Sequence, residues 1–143
     1  MKGSSMKKSF RYPEAELDTI DELPPASLVT VHETAALADL ARMFVEQFLV
    51  AIGVVDDEER LIGVITRTDL LGNLGNVSAT AVDAMSGLVF LESDSTIECA
   101  AALMVLEGVG HVIVMSPRGE PYGVVSALDI ARHIAARAGY LAA

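Results

Sequence analysis

Apolar and polar positions fall into short blocks of two kinds, and the blocks come round twice. Leu28–Val31 and Leu88–Leu91 are compact runs of β-forming residues and predict strands. Thr34 and Asp94 follow at positions that suit an N-cap. Behind them Leu37, Leu40, Ala41, Phe44 and Val45, and then Ile97, Ala100, Ala101, Met104 and Val105, recur at the spacing of one face of an amphipathic helix. Val50–Val55 and His111–Met115 predict the next strands. Polar turns at Asp56–Arg60 and Ser116–Glu120 lead back into Leu61–Ile65 and Tyr122–Val125, completing a hairpin in each half. Thr66 and Ser126 then open a second helix, and Gly72–Ser78 reads as the linker.

The recurrence is an internal repeat. A shift of 60 residues lays 27–73 on 87–133 without a gap. Leu28-Val29 meets Leu88-Val89, Ala41 meets Ala101, Val54 meets Val114, Gly63-Val64 meets Gly123-Val124 and Asp69 meets Asp129. At 143 residues the chain has room for one domain or two small fused units. A unit of roughly 50 residues is marginal alone, so the halves are expected to share a core. The predicted limits are a tail at 1–19, repeat one at 20–75, repeat two at 76–138 and a tail at 139–143.

The β-α-β-β-α order, the tandem copy, and the phrases GVITRTDL (Gly63–Leu70) and GVVSALDI (Gly123–Ile130) resemble CBS domains. The pair resembles a Bateman module, and Val82–Met104 is similar to the family's usual lead into a repeat. The resemblance implies an α/β fold in which two tandem repeats pack about a pseudo-twofold axis. It also implies an adenosine-containing ligand (AMP, ADP, ATP or S-adenosylmethionine) between the repeats, with no cofactor required. Occupancy would be passed to a regulated protein partner, and pairs of this kind commonly form head-to-head homodimers through their helices. The alternative from another class is a protein-interaction or dimerisation scaffold without a ligand.

Composition narrows the function classes. Apolar residues make up 52% of the chain, enough to build a core, and no apolar run approaches the ~20 residues of a membrane helix. The net charge of −10 conceals a split. Lys2, Lys7, Lys8 and Arg11 precede every acidic residue, and from residue 12 onward six basic and 20 acidic residues leave −14. That field repels phosphate backbones, so nucleic acid is not expected as a partner of the folded body. The opening MKGSSM reads partly as an appended leader, with Met6 as the native start. Neither a signal peptide nor a disulfide is expected, and the lone Cys99 fits a reducing cytoplasm.

The chemistry concentrates in one motif, Gly-Val-x-[Ser/Thr]-x-x-Asp, present as Gly63, Thr66, Asp69 and as Gly123, Ser126, Asp129. Glycine permits close backbone approach, the hydroxyl starts a helix, and a carboxylate one turn in can accept two hydrogen bonds from a ribose diol. The same spacing is a capping box, in which hydroxyl and carboxylate satisfy the first helical N–H groups; the two roles are compatible. The resemblance assigns Asp69 and Asp129 to ribose, with Thr66 and Ser126 beside them. Basic residues that hold phosphate in family members would fall at Val50-Ala51 and Gly110-His111, so His111 stands alone there, as a phosphate contact or as a partly buried strand histidine. Arg67 is a second cation or a solvated helix residue. The family's frequent proline in that strand is replaced by Gly53 and Ile113. The acidic run Asp56–Glu59 reads as a solvated hairpin tip, not a metal site. His32, His111, His133 and Cys99 lie in no catalytic motif, and no phosphate-binding Gly-x-x-x-x-Gly-Lys-[Ser/Thr] loop occurs, so an enzyme is not expected.

Overall fold

The computed structural model describes residues 18–141; the reading of an appended leader lies outside them. Two three-stranded sheets carry the repeats. Repeat one runs β1 (Thr30–His32), α1 (Leu37–Gln47), β2 (Ala51–Val55), β3 (Leu61–Thr66) and α2 (Arg67–Leu71). A one-turn helix α3 (Ala81–Ala84) leads into β4 (Phe90–Glu92), α4 (Ile97–Glu107), β5 (His111–Met115), β6 (Pro121–Ser126) and α5 (Ala127–Arg137). A 3-10 turn at Ile20–Glu22 occupies the place before repeat one that α3 holds before repeat two.

The 60-residue shift survives in the hydrogen bonds. β1 pairs with β2 in parallel through Thr30 opposite Gly53, and β4 with β5 through Phe90 opposite Ile113. The hairpins set Ala51 opposite Thr66 and His111 opposite Ser126, each with a bulge at the equivalent step. The first strands are shorter than the apolar runs predict: Leu28 and Leu88 precede the ladder, although Val29 and Val89 already accept from the N–H groups of Gly53 and Ile113.

The helix starts differ from the expectation. Thr34 and Asp94 lie in turns, and the caps fall two residues later. Thr96 Oγ1 accepts from the Cys99 N–H at 3.0 Å, while the equivalent Ala36 has no side chain to cap with. In both repeats the lead-in segment also satisfies the first helical N–H: Leu37 donates to the Ala79 carbonyl at 3.3 Å and Ile97 to the Asp18 carbonyl at 3.0 Å. The inward face is also narrower than predicted. Leu37, Leu40 and Phe44 are buried, as are Ile97, Ala100 and Met104, but Val45 and Val105 are 75% and 80% exposed. Met43 and Leu103, partly buried, pack against the cores.

The two halves have separate cores, each completed by the other half. Ile20 and Leu23, ahead of repeat one, pack among Ile97, Met104, Val112 and Val125 of repeat two. Ala79, Ala81 and Ala84, ahead of repeat two, pack among Leu37, Leu40, Phe44 and Ile65 of repeat one. Reciprocal bridges fix the exchange: Ala26 pairs with Val124, and Ser86 pairs with Val64. These contacts are 60 residues apart on both sides, which is the pseudo-twofold relation. At the far end of repeat two, Asp18 accepts from His133 Nε2 at 2.6 Å and from Arg137 Nη1 at 2.6 and 2.7 Å, tying the lead-in segment to α5. Those bonds, His133 first and Arg137 next, hold the Asp18 carboxyl below its usual range against the opposing effect of burial.

Candidate functional site

Both copies of the motif fold as capping boxes. The Thr66 N–H donates to Asp69 Oδ2 at 2.9 Å and the Asp69 N–H donates to Thr66 Oγ1 at 3.3 Å. Ser126 and Asp129 repeat the exchange at 2.8 and 3.1 Å. The capping half of the sequence reading is therefore realised twice, and it occupies one carboxylate oxygen of each aspartate.

The glycines seat the exchanged segments. A Cβ on Gly63 would stand 2.5 Å from Met85 Sδ and 3.0 Å from the Ser86 carbonyl oxygen. On Gly123 it would stand 2.8 Å from Pro25 Cβ and 3.0 Å from the Ala26 carbonyl oxygen. Close backbone approach is thus needed at both, but the backbone that approaches belongs to the protein itself.

The second oxygens of the aspartates diverge. Asp69 Oδ1 accepts from the Ser86 hydroxyl at 2.7 Å, across the junction of the repeats. Asp129 Oδ1 faces Arg132 Nη1 at 3.2 Å, one turn along its own helix, because the residue matching Ser86 is Ala26. The Arg132–Asp129 pair is partly exposed, a kind of contact worth ~0–1 kcal/mol.

A cleft of about 420 Å³ opens between the repeats beside Asp69. Thr66, Asp69 and Val64 of repeat one line it together with Ser86 and Leu88 of the following segment and Glu107 and His111 of repeat two. His111 is 2% exposed, and its Nε2 has no hydrogen-bond partner. An unpaired buried polar atom costs about 1–3 kcal/mol. Burial pushes the imidazole below its ordinary value of 6.5, and the nearby Asp69 charge opposes that shift less strongly. The ring is therefore held neutral, and it is buried more fully than a partly exposed strand histidine. A second hollow of about 410 Å³ shares Thr66, Thr68 and His111 with the cleft and adds Ser126, Phe48 and Arg67. Arg67 already donates from Nη2 to the Leu49 carbonyl at 3.1 Å.

The structure thus brings Thr66 and Asp69 together with His111 of the other repeat. Gly123, Ser126 and Asp129 form the mirrored position, where Ser86, Glu107, Gly108 and His111 are matched by Ala26, Gln47, Phe48 and Ala51. Ser86 and Glu107 escaped sequence reasoning. The available signal for Ser86 was a hydroxyl directly after Met85 that repeat one lacks. Cys99 lies exposed, and among the described residues no cluster of metal-ligating side chains occurs. No helix among them is long and apolar enough to cross a membrane.

Comparison with known proteins supplies the family. The family model "CBS domain" matches residues 20–76 and again 81–136. Uncharacterized protein MJ1232 of Methanocaldococcus jannaschii is 24% identical over 109 residues, 76% of this chain; the chain spans about a third (36%) of that relative. A 17.7 kDa protein of Acidianus ambivalens is 24% identical over 119 residues, covering 79% of this chain and 71% of its own length. Among solved structures, the CBS domain pair of protein MJ0100, in complex with 5-methylthioadenosine and S-adenosyl-L-methionine, is 19% identical with a TM-score of 0.76, covering 85% of this chain and 98% of its own. PAE2072 from Pyrobaculum aerophilum, complexed with AMP, is 20% identical with a TM-score of 0.72, covering 82% and 98%.

Proposed function

Since this chain belongs to the CBS-domain family, with two matched repeats, we propose that it is a regulatory binding module for an adenosine-containing ligand, seated in the cleft beside Asp69. The observation that carries this reading is the Asp69 carboxylate on the wall of a 420 Å³ inter-repeat cleft that also holds the unpaired His111 ring. Relatives of this fold crystallised with AMP, S-adenosylmethionine and methylthioadenosine support the ligand class. The aspartate takes a ribose hydroxyl, Thr66 positions it, and apolar Val64 and Leu88 offer a surface for the base. The neutral imidazole adds no charge for a phosphate, so affinity should rise little from adenosine to ATP.

Ligand that bridges the repeats would favour one packing of the exchanged segments over another, within the limit set by its differential affinity for the two. A protein partner in the cytoplasm reads that difference. Val45, Val105 and Leu106 are exposed on α1 and α4 and support a homodimer as the acting form. Calorimetric titration with adenosine, AMP, ATP and S-adenosylmethionine tests the proposal, with native mass spectrometry for the assembly. Absence of heat and of thermal stabilisation by all four would remove it. One observation favours the scaffold alternative: both aspartates already have partners on both oxygens within the chain.

A further inference from the structure

The Ser86–Asp69 contact sits where a ligand's ribose must go. A carboxylate oxygen accepts about two hydrogen bonds. Asp69 Oδ2 is filled by the Thr66 N–H at 2.9 Å and the Thr66 hydroxyl at 3.0 Å. Oδ1 accepts from the Ser86 hydroxyl at 2.7 Å, which leaves it room for one further donor. Both hydroxyls of a ribose diol therefore cannot reach Asp69 while Ser86 stays bonded to it. Ser86 is held in place by its backbone, whose N–H donates to the Val64 carbonyl at 2.8 Å and whose carbonyl accepts from the Val64 N–H at 3.0 Å. Gly63 admits the segment because a Cβ there would collide with Met85 and Ser86. The hydroxyl is thus built in at the cleft wall and does not swing in from solvent. In the other half the matching residue is Ala26, so no hydroxyl competes at Asp129, whose Oδ1 accepts from Arg132 instead.

We propose that Ser86 is an internal competitor for the ribose diol at Asp69 and so sets both the affinity of the cleft and its discrimination between ribose and deoxyribose. The inference rests on the adenosine reading above. With Ser86 bonded, the aspartate grips one ribose hydroxyl, and a ligand lacking the 2′-hydroxyl loses little. Taking the full diol requires the Ser86 hydroxyl to turn away. That breaks a side-chain bond linking repeat one to the segment that leads into β4, so ribose recognition and the junction of the repeats share one contact.

The test compares adenosine with 2′-deoxyadenosine by calorimetry on the parent, Ser86→Ala and Ser86→Thr proteins. Removing the competing hydroxyl should tighten adenosine binding by roughly three- to tenfold, the worth of about one net hydrogen bond. The adenosine to 2′-deoxyadenosine affinity ratio should rise by a similar factor. Threonine, which keeps the hydroxyl, should behave as the parent. The ratio is a readout that a general change in stability does not move. Weaker adenosine binding by Ser86→Ala, or a ratio equal to the parent's, overturns the role of Ser86 while leaving the adenosine reading standing. Failure of both the parent and Ser86→Ala to bind adenosine, AMP, ATP and S-adenosylmethionine alike overturns the adenosine reading itself.

Discussion

Phe48 and Glu59 of repeat one adopt left-handed backbone, with φ of 53° and 61°, at the two positions where repeat two has Gly108 and Gly119, with φ of 68° and 81°. Ladder, bulge and turn are otherwise in the same register across the two halves. Repeat one therefore holds its shape against an unfavourable local preference, whereas repeat two follows it. The second helices differ more: α2 has five residues and stops at Gly72, while α5 has 11. The surroundings of the two aspartates differ most. Asp69 faces Ser86, Glu107 and His111; Asp129 has Ala26, Gln47 and Ala51 at the matching positions. Backbone geometry has outlasted side-chain chemistry, and a binding site cannot be transferred from one half to the other on motif identity alone.

The largest expected effect probes the exchange of lead-in segments. Ile20 precedes repeat one in sequence but is buried in the core of repeat two. Ile20→Ala should destabilise the protein by about 2–5 kcal/mol, the range for truncating a buried aliphatic side chain. Native-state hydrogen exchange should show the loss first in β5 and β6. Earlier exposure of β2 and β3 would mean that the crossed packing has no energetic weight.

Next comes the difference between the aspartates. Asp69→Ala should lower adenosine affinity tenfold or more, since a hydrogen bond to a charged group is worth ~1.5–3 kcal/mol. On the proposed reading, which seats the ligand beside Asp69, Asp129→Ala should leave it within about twofold and cost the cap, worth ~1 kcal/mol of stability. Equal losses in the two variants, measured by titration at fixed pH, would erase the proposed asymmetry. If the single and double variants all bind like the parent and stay folded, both aspartates are caps alone.

A smaller effect brings repeat one closer to repeat two. Phe48→Gly and Glu59→Gly relieve side chains from left-handed backbone and should each raise stability by up to ~1 kcal/mol, read from denaturant midpoints. Loss of stability in both would show that the side-chain contacts outweigh the backbone preference. The converse changes, Gly108→Ala and Gly119→Ala, should be destabilising because both glycines have positive φ.

The smallest effect is in pH dependence and separates His111 from its counterpart Ala51. The folded protein holds the His111 proton less tightly than the unfolded chain does. Between the lowered native value and about 6.5 the unfolded chain binds the extra proton, so stability falls as pH drops below 6.5. Thermal melts of His111→Ala should show a flatter profile across that window than the parent. Asp18 acts at lower pH: its lowered carboxyl stabilises above the ordinary carboxylate value and that contribution is lost as pH falls through the native one. An unchanged slope near pH 6 in His111→Ala would place the titration elsewhere.

Much of the site was legible at the level of residue type. Thr66, Asp69, Ser126 and Asp129 announce helix starts through spacing alone, since a capping box forms between residues three apart. His111 stood out as the one basic residue where the pattern expects several. That it lines one cleft with Asp69 of the other repeat was not legible, nor was the missing partner on Nε2. Those properties depend on residues 42 positions apart meeting at a junction.

The sequence by itself determined the duplication, the order of strands and helices, the hairpins and the capped starts of α2 and α5, because these depend on interactions over a few residues and on hydrophobic period. Tertiary structure alone decided where the segment from Ile20 to Leu23 packs, which apolar face of α1 and α4 turns inward, and which aspartate faces a polar cleft. Local pattern cannot distinguish a segment that closes its own repeat from one that crosses to the other, since both offer the same apolar surface. Long-range packing makes that choice, and with it Ser86 reaches Asp69 while Ala26 leaves Asp129 to Arg132.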